Sequence, residues 1–190
     1  MIIINSLDTH LKYKQILLDA IHKFTLDNDT RLSPLQTNIH STKGKLLIGE
    51  PSAVHSDYFI PKNVNREYLT TFYSDDVIRP VVVNIGHALG LNPFDYHIHN
   101  TWFQQYDNTG EHALHNHPGC HFTNCYYLEL PDSEYKTELI GLEGEPLEFI
   151  VKEGDVMTCP AWMLHRSKPN GSGRKTVIAF NTSYNHTKTY

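Results

Sequence analysis

The chain is poor in cysteine, with only Cys120, Cys125 and Cys159. Their number is odd and no two stand in a CxxC spacing, which argues against both a disulfide framework and a zinc ribbon. They are expected to be small buried residues. Basic residues form no run, and the net charge of −5 with a pI near 6.2 gives no electrostatic reason to expect a nucleic-acid binder or a membrane-surface protein. No apolar stretch approaches the length of a membrane span. Met1-Ile2-Ile3-Ile4-Asn5 is briefly apolar, lacks a basic n-region and turns polar at once, so no signal peptide is expected. Without a secretion signal, the glycosylation patterns Asn170-Gly171-Ser172 and Asn181-Thr182-Ser183 are expected to be accidental. The expected location is the cytoplasm, that of the host if the chain is phage-encoded. Internal repeats and low-complexity segments are also missing.

A length of 190 residues suits a single domain with a sizeable core. The pattern divides it into a helical support region over 1–92 and a strand-rich core over 93–190. Leu7, Leu11, Leu17, Leu18, Ile21 and Phe24 recur at helical intervals, with Ser6 as a possible N-cap. Val77, Val81, Val82, Ile85 and Leu89 predict a second helix, with Asp75 and Asp76 at its start, Pro80 in its first turn so that the regular part begins near Arg79, and Gly90 just past its end. Between Asp27 and Ile60, breaks at Pro34, Gly44, Gly49 and Pro51 predict loops and short strands, long enough for a lid. After Asn92-Pro93, short aromatic or β-branched runs at Tyr96 to Tyr106, Thr123 to Leu130, Leu147 to Val151, Val156 to Cys159 and Thr176 to Asn181 predict a compact antiparallel sandwich or barrel with the helices outside.

One constellation points to a particular chemistry. Residues two apart on a strand share a face, so His115 and His117 can converge on one ion while Asn116 points away. Pro118-Gly119 then turns the chain, and His165, reached after Pro160 on a separate strand, would be the third ligand. Three protein ligands with positions left open suit a catalytic metal. Among 13 histidines an isolated HxH is weak support, and His97-Ile98-His99 has the same spacing as a rival pair or as surface histidine.

The order Tyr106-x-x-x-Gly110, His115-x-His117, Tyr126-Tyr127-Leu128, Gly154-Asp155-Val156, Pro160, His165 and Arg174 resembles the iron(II) and 2-oxoglutarate-dependent oxygenases. The likeness is closest to their prolyl-hydroxylase-like branch and to short bacterial and phage members, and it spans Trp102 to Ser183. It implies a mainly β, double-stranded β-helix core of jelly-roll or cupin-like form with flanking helices. It also implies metal ligation by His115, His117 and His165, with Fe(II) as the metal and 2-oxoglutarate as co-substrate. Arg174 would hold the far carboxylate, for which its planar fork of donors is suited, and Thr176 would add a hydroxyl. Tyr106 falls where relatives place a phenol near the co-substrate, or is an ordinary aromatic of the sandwich. Lys175, on the opposite face from Arg174, is the rival basic group.

The departure from the family pattern is His117, where Asp or Glu is usual. A neutral imidazole there makes the site more cationic and leaves it suited also to zinc, copper or manganese. Asp107, Glu111 and Asp155 are the carboxylates that could enter the shell instead. The implied activity is a dioxygenase that decarboxylates 2-oxoglutarate and, with molecular oxygen, hydroxylates an unactivated carbon of an unidentified substrate, a protein or peptide side chain such as proline being one class. Trp102, Trp162 and Asn181 either line the mouth or belong to packing and strand ends. Two alternatives stand beside this expectation: a cupin-type three-histidine dioxygenase that does not use 2-oxoglutarate, and a non-catalytic β-sandwich serving as a binding or structural module.

Overall fold

The computed structural model describes residues 1–33, 36, 53–107, 109–171 and 173–185. Among them, two antiparallel sheets face one another and three helices cover the outer side of the larger one. In chain order the elements are β1 (Ile3–Ser6), α1 (His10–Asp27), β2 (Val54–Ser56), α2 (Glu67–Phe72), α3 (Ile78–Ala88), β3 (Tyr96–Tyr106), β4 (His112–His115), β5 (Phe122–Glu129), β6 (Glu138–Leu139), β7 (Asp155–Pro160), β8 (His165–Ser167) and β9 (Lys175–Tyr184). The major sheet runs β1-β7-β5-β9-β3-β2 and the minor sheet β4-β8-β6. This is a mainly β jelly-roll sandwich. No helix among the described residues is long and apolar enough to cross a membrane.

Strand alternation sorts the major sheet into two faces. Phe103, Tyr126, Ile178 and Phe180 pack outward against Leu17, Leu18, Ile21 and Phe24 of α1, Tyr68 and Phe72 of α2, and Val81, Val82 and Ile85 of α3. Tyr106, Cys125, Tyr127, Met157, Cys159 and Val177 point the other way, into the space between the sheets. Burial on both faces explains why these strands read as short aromatic or β-branched runs without a clean apolar–polar alternation.

The expected elements appear with instructive shifts. α3 matches its predicted span, and Gly90 supplies the positive φ of 66° that ends it. The first helix begins at His10, because Ser6 belongs to β1 and gives its hydroxyl to Asp155; Leu11 is therefore exposed. The N-terminal region is not only helical support, since β1 and β2 form the two edges of the major sheet. Leu147 to Val151 forms no strand: Pro146 makes only an isolated bridge to Ile140, and the segment runs on as coil. Pro34, Gly44, Gly49 and Pro51, which carry the predicted irregularity, lie outside the described residues. Two cysteines are buried as expected, while Cys120 is partly exposed.

Gly110 has a packing reason. A Cβ there would lie 2.6 Å from the Ala53 carbonyl oxygen, so the turn from β3 to β4 closes against the start of β2 only without a side chain.

Candidate metal centre

His115 ends β4 and pairs across the minor sheet with His165, which opens β8. His117 lies two residues beyond His115, held by a bond from its amide to the Ala161 carbonyl at 2.9 Å. The three rings meet between the sheets, with centroid separations of 5.2, 4.3 and 4.9 Å, and one nitrogen of each lies within 4.8 Å of the others.

Hydrogen bonds decide which nitrogens are offered. His115 Nδ1 donates to the Ala113 carbonyl at 2.8 Å and His165 Nδ1 to the Met163 carbonyl at 3.0 Å. His117 Nδ1 donates to Asn181 Oδ1 at 2.7 Å, with the Thr123 hydroxyl 3.2 Å away. Each proton is thereby held on Nδ1, which leaves Nε2 as the lone-pair donor of a neutral ring, the state a metal ligand requires. Burial is the main cause that lowers all three imidazoles below their ordinary range, taking His165 to about 3. No carboxylate joins this group among the described residues. Asp155, one of the rival ligands, is buried where it accepts from Ser6 and from the Lys152 amide.

A fourth histidine escaped the sequence pattern. The register shift between His112 and His115 places both rings on one face, where they stack at 4.2 Å and 18°. The Gln104 amide donates to His112 Nδ1 at 2.9 Å, so His112 carries its proton on Nε2 and forms a wall of the site in the opposite tautomer. Only the bulge reveals it, because a three-residue spacing on a regular strand would put the two rings on opposite faces.

The other predicted site residues divide by strand parity. Arg174 and Thr176 lie on the outward side of β9. Arg174 makes a bidentate pair with Glu129 at 2.8 and 2.9 Å, and Thr176 donates to the same carboxylate at 2.5 Å. Neither is brought to the histidines. Lys175, paired with Tyr106 across β3 and β9, points inward and is only 1% exposed. Its ammonium stands 4.2 Å over the Tyr106 ring and donates to the Tyr135 carbonyl at 2.8 Å and to the Ser167 hydroxyl. These partners are all uncharged, and burial lowers the Lys175 pKa to about 8. Tyr106 and Ser167, both in contact with this lysine, line the narrow space beside the histidines, and Lys175 stands behind them. Arg166 also borders that space, but its guanidinium is bonded to Glu138.

On the open side, a cavity of about 290 Å³ adjoins His115 and His117. Trp102, with its ring 5.4 Å from that of His117, forms part of the wall, and Tyr58 and Phe59 form an aromatic lip. Asn100, Asn116 and Asn181 add amides, and no Lys, Arg, Asp or Glu lines it among the described residues. Trp162 is 59% exposed and lies outside this lining.

No family model and no curated protein matches the chain in sequence. Solved structures do match in shape. A prolyl hydroxylase from Trichoplax adhaerens, in complex with a hypoxia inducible factor oxygen degradation domain peptide fragment, superposes with a TM-score of 0.61 over 95% of this chain and 82% of its own, at 12% identity. The fold is that of the prolyl hydroxylases. A Pseudomonas putida prolyl-4-hydroxylase shares this prolyl-hydroxylase fold with a TM-score of 0.59 over 97% of this chain and 92% of its own, at 11% identity. An oxidoreductase of the 2OG-Fe(II) oxygenase family from Burkholderia pseudomallei gives a TM-score of 0.51 at 13% identity, over 62% of this chain and 56% of that one. At these identities the likeness fixes the fold and leaves the chemistry to the residues of the site.

Proposed function

We propose that the 190 residues form a single-domain Fe(II)- and 2-oxoglutarate-dependent dioxygenase that hydroxylates an unactivated carbon. The observation that carries the proposal is a pairing of two features on the inner face of a jelly roll. One is three clustered imidazoles whose Nδ1 protons are engaged, which leaves Nε2 of each free to ligate. The other is a buried lysine ammonium whose bonded partners are all neutral. The donor set fits a divalent metal with open positions, and an uncompensated buried cation fits a dicarboxylate.

His115, His117 and His165 would hold the metal. Bound there, iron would supply the oxygen activation needed for decarboxylation of 2-oxoglutarate to succinate and hydroxylation of the substrate. Lys175 takes the place first given to Arg174 as partner of the far carboxylate. Ser167 and Tyr106 position its ammonium, and the buried Tyr106 phenol, whose pKa burial raises, stays protonated and able to donate. Asn181 and Thr123 orient His117. Trp102, Tyr58 and Phe59 exclude water from the substrate side, so that oxidation is directed at the bound carbon.

The neutral lining of the larger cavity suits an uncharged group, and the peptide bound by the Trichoplax enzyme makes a protein side chain such as proline the first class to test. The deciding experiment measures succinate released from 2-oxoglutarate with Fe(II) and oxygen. Wild type and Arg174→Ala should release it, His117→Ala and Lys175→Met should not, and equal release by all four would overturn the assignment. A cupin-type dioxygenase is favoured by one observation, the all-imidazole donor set. It predicts oxygen consumption that needs metal but neither 2-oxoglutarate nor Lys175.

A further inference from the structure

A second group of imidazoles stands apart from the metal centre. β3 pairs with β9 at His97↔Ser183 and Ile98↔Thr182, then shifts register before Thr101↔Phe180. The extra residue in the bulge lets neighbours share a face. Asn100 lines the cavity, while His99 turns to Ser183, with Nε2 2.8 Å from its hydroxyl. The rings of His97 and His99 lie 4.5 Å apart at 85°. That separation falls within the 4.3 to 5.2 Å found among the three histidines of the metal centre. Both rings are exposed and open to an incoming ion.

The surroundings hold His99 in place. Burial, followed by the nearby His97 and His121, lowers the His99 imidazole below its ordinary range. The Ser183 hydroxyl oxygen also accepts the His121 amide at 3.2 Å, which fixes it beside His99. His121 has its own Nδ1 engaged by the Tyr184 amide at 3.3 Å and serves as a neighbour, not a ligand. Asp95, the nearest acid in sequence, is tied to the Asn185 side chain at 2.7 Å.

We propose that His97 and His99 form a second, open metal site that takes a borderline divalent ion such as zinc, nickel or copper through two imidazoles, with Ser183 alongside and water completing the shell. Imidazole ligands without carboxylates select these ions over magnesium or calcium. With two protein ligands the site is weaker than the three-histidine centre and fills after it. Ser183 is two residues from Asn181, so the ion would sit about 7 Å along β9 from the cavity wall, at the rim of the substrate entrance.

The test is equilibrium dialysis of the full chain against zinc alone, followed by metal analysis. Wild type is expected to bind two equivalents and the His97→Asn/His99→Asn variant one. A His115→Ala/His165→Ala variant should also keep one, which separates this site from the proposed catalytic centre. Zinc content unchanged by loss of both His97 and His99 overturns the proposal, whether wild type binds one equivalent or two. If the rim double variant does not fold, His97→Asn alone is expected to leave one equivalent and serves in its place.

Discussion

Replacing Lys175 by methionine should separate its two energetic effects. Burial takes its pKa from 10.5 to about 8, a cost near 3 kcal/mol for keeping the ammonium charged at neutral pH. Methionine removes that cost, but it also removes the cation–π contact with Tyr106 at 4.2 Å, worth ~1–2 kcal/mol, and leaves the Tyr135 carbonyl without its donor, a loss of ~1 kcal/mol. The chain without ligands should therefore unfold in urea within about 2 kcal/mol of wild type. Binding of 2-oxoglutarate should behave differently. Truncating one partner of a buried charge pair costs ~2–5 kcal/mol, or roughly thirtyfold to a few thousandfold in Kd. Anaerobic titration of the iron-loaded chain measures it, with Arg174→Ala as the control expected to bind like wild type. The wild type should also gain stability relative to Lys175→Met as pH rises from about 8 to 10.5, because the unfavourable charge is relieved first in the folded state. A change in Kd below about threefold would refute the role given to Lys175.

Three other perturbations test the surrounding structure. Asn181→Ala removes the acceptor of the His117 Nδ1 proton and should weaken metal binding about 10- to 100-fold with little change in stability, as read by competition with a chelator; unchanged affinity would count against the orienting role. The buried histidines have lowered folded pKa values, so their contribution is complete above the ordinary 6.5 and is lost as pH falls toward about 3. The melting temperature of the metal-free chain should accordingly fall below pH ~6.5, and a flat profile would contradict their burial as neutral rings. Asp57→Ala deletes a buried carboxylate that accepts from Arg66 at 2.7 Å, Tyr68 at 2.7 Å and the Phe103 amide at 2.9 Å. It should cost ~3–5 kcal/mol in urea unfolding and loosen the loop bearing Tyr58 and Phe59; a loss under about 1 kcal/mol would show that the network is dispensable.

The strands that bury both faces were legible from sequence as aromatic or β-branched runs bounded by turn residues, as in Thr176 to Asn181. The cluster of His115, His117 and His165 was legible because period-two spacing was read together with the order of the surrounding motifs. His112 was not, since a bulge leaves no mark in a simple alternation. The choice between Arg174 and Lys175 turned on the parity of β9, which depends on its register against β3 and β5. Intrinsic chemistry favoured the guanidinium, but Glu129 holds it outward. β1, β6 and β8, with four, two and three residues, are too short to declare a period and exist through pairing with distant partners.

The placement of β9 at the centre of the major sheet has a kinetic consequence. It is the last strand among the described residues, yet it lies between β5 and β3 and supplies both Lys175 and Asn181. Ile3 to Ser6 likewise waits for Asp155 to Thr158. Such distant pairings make for slow folding, since the loops must close before the contacts form. During synthesis His115 and His117 emerge well before His165 and the strand that orients them. An early metal ion would meet only half a ligand set. Tight metal uptake should therefore lag behind the formation of helical structure and report the insertion of β9, which makes the metal a marker of a closed major sheet and not its nucleus.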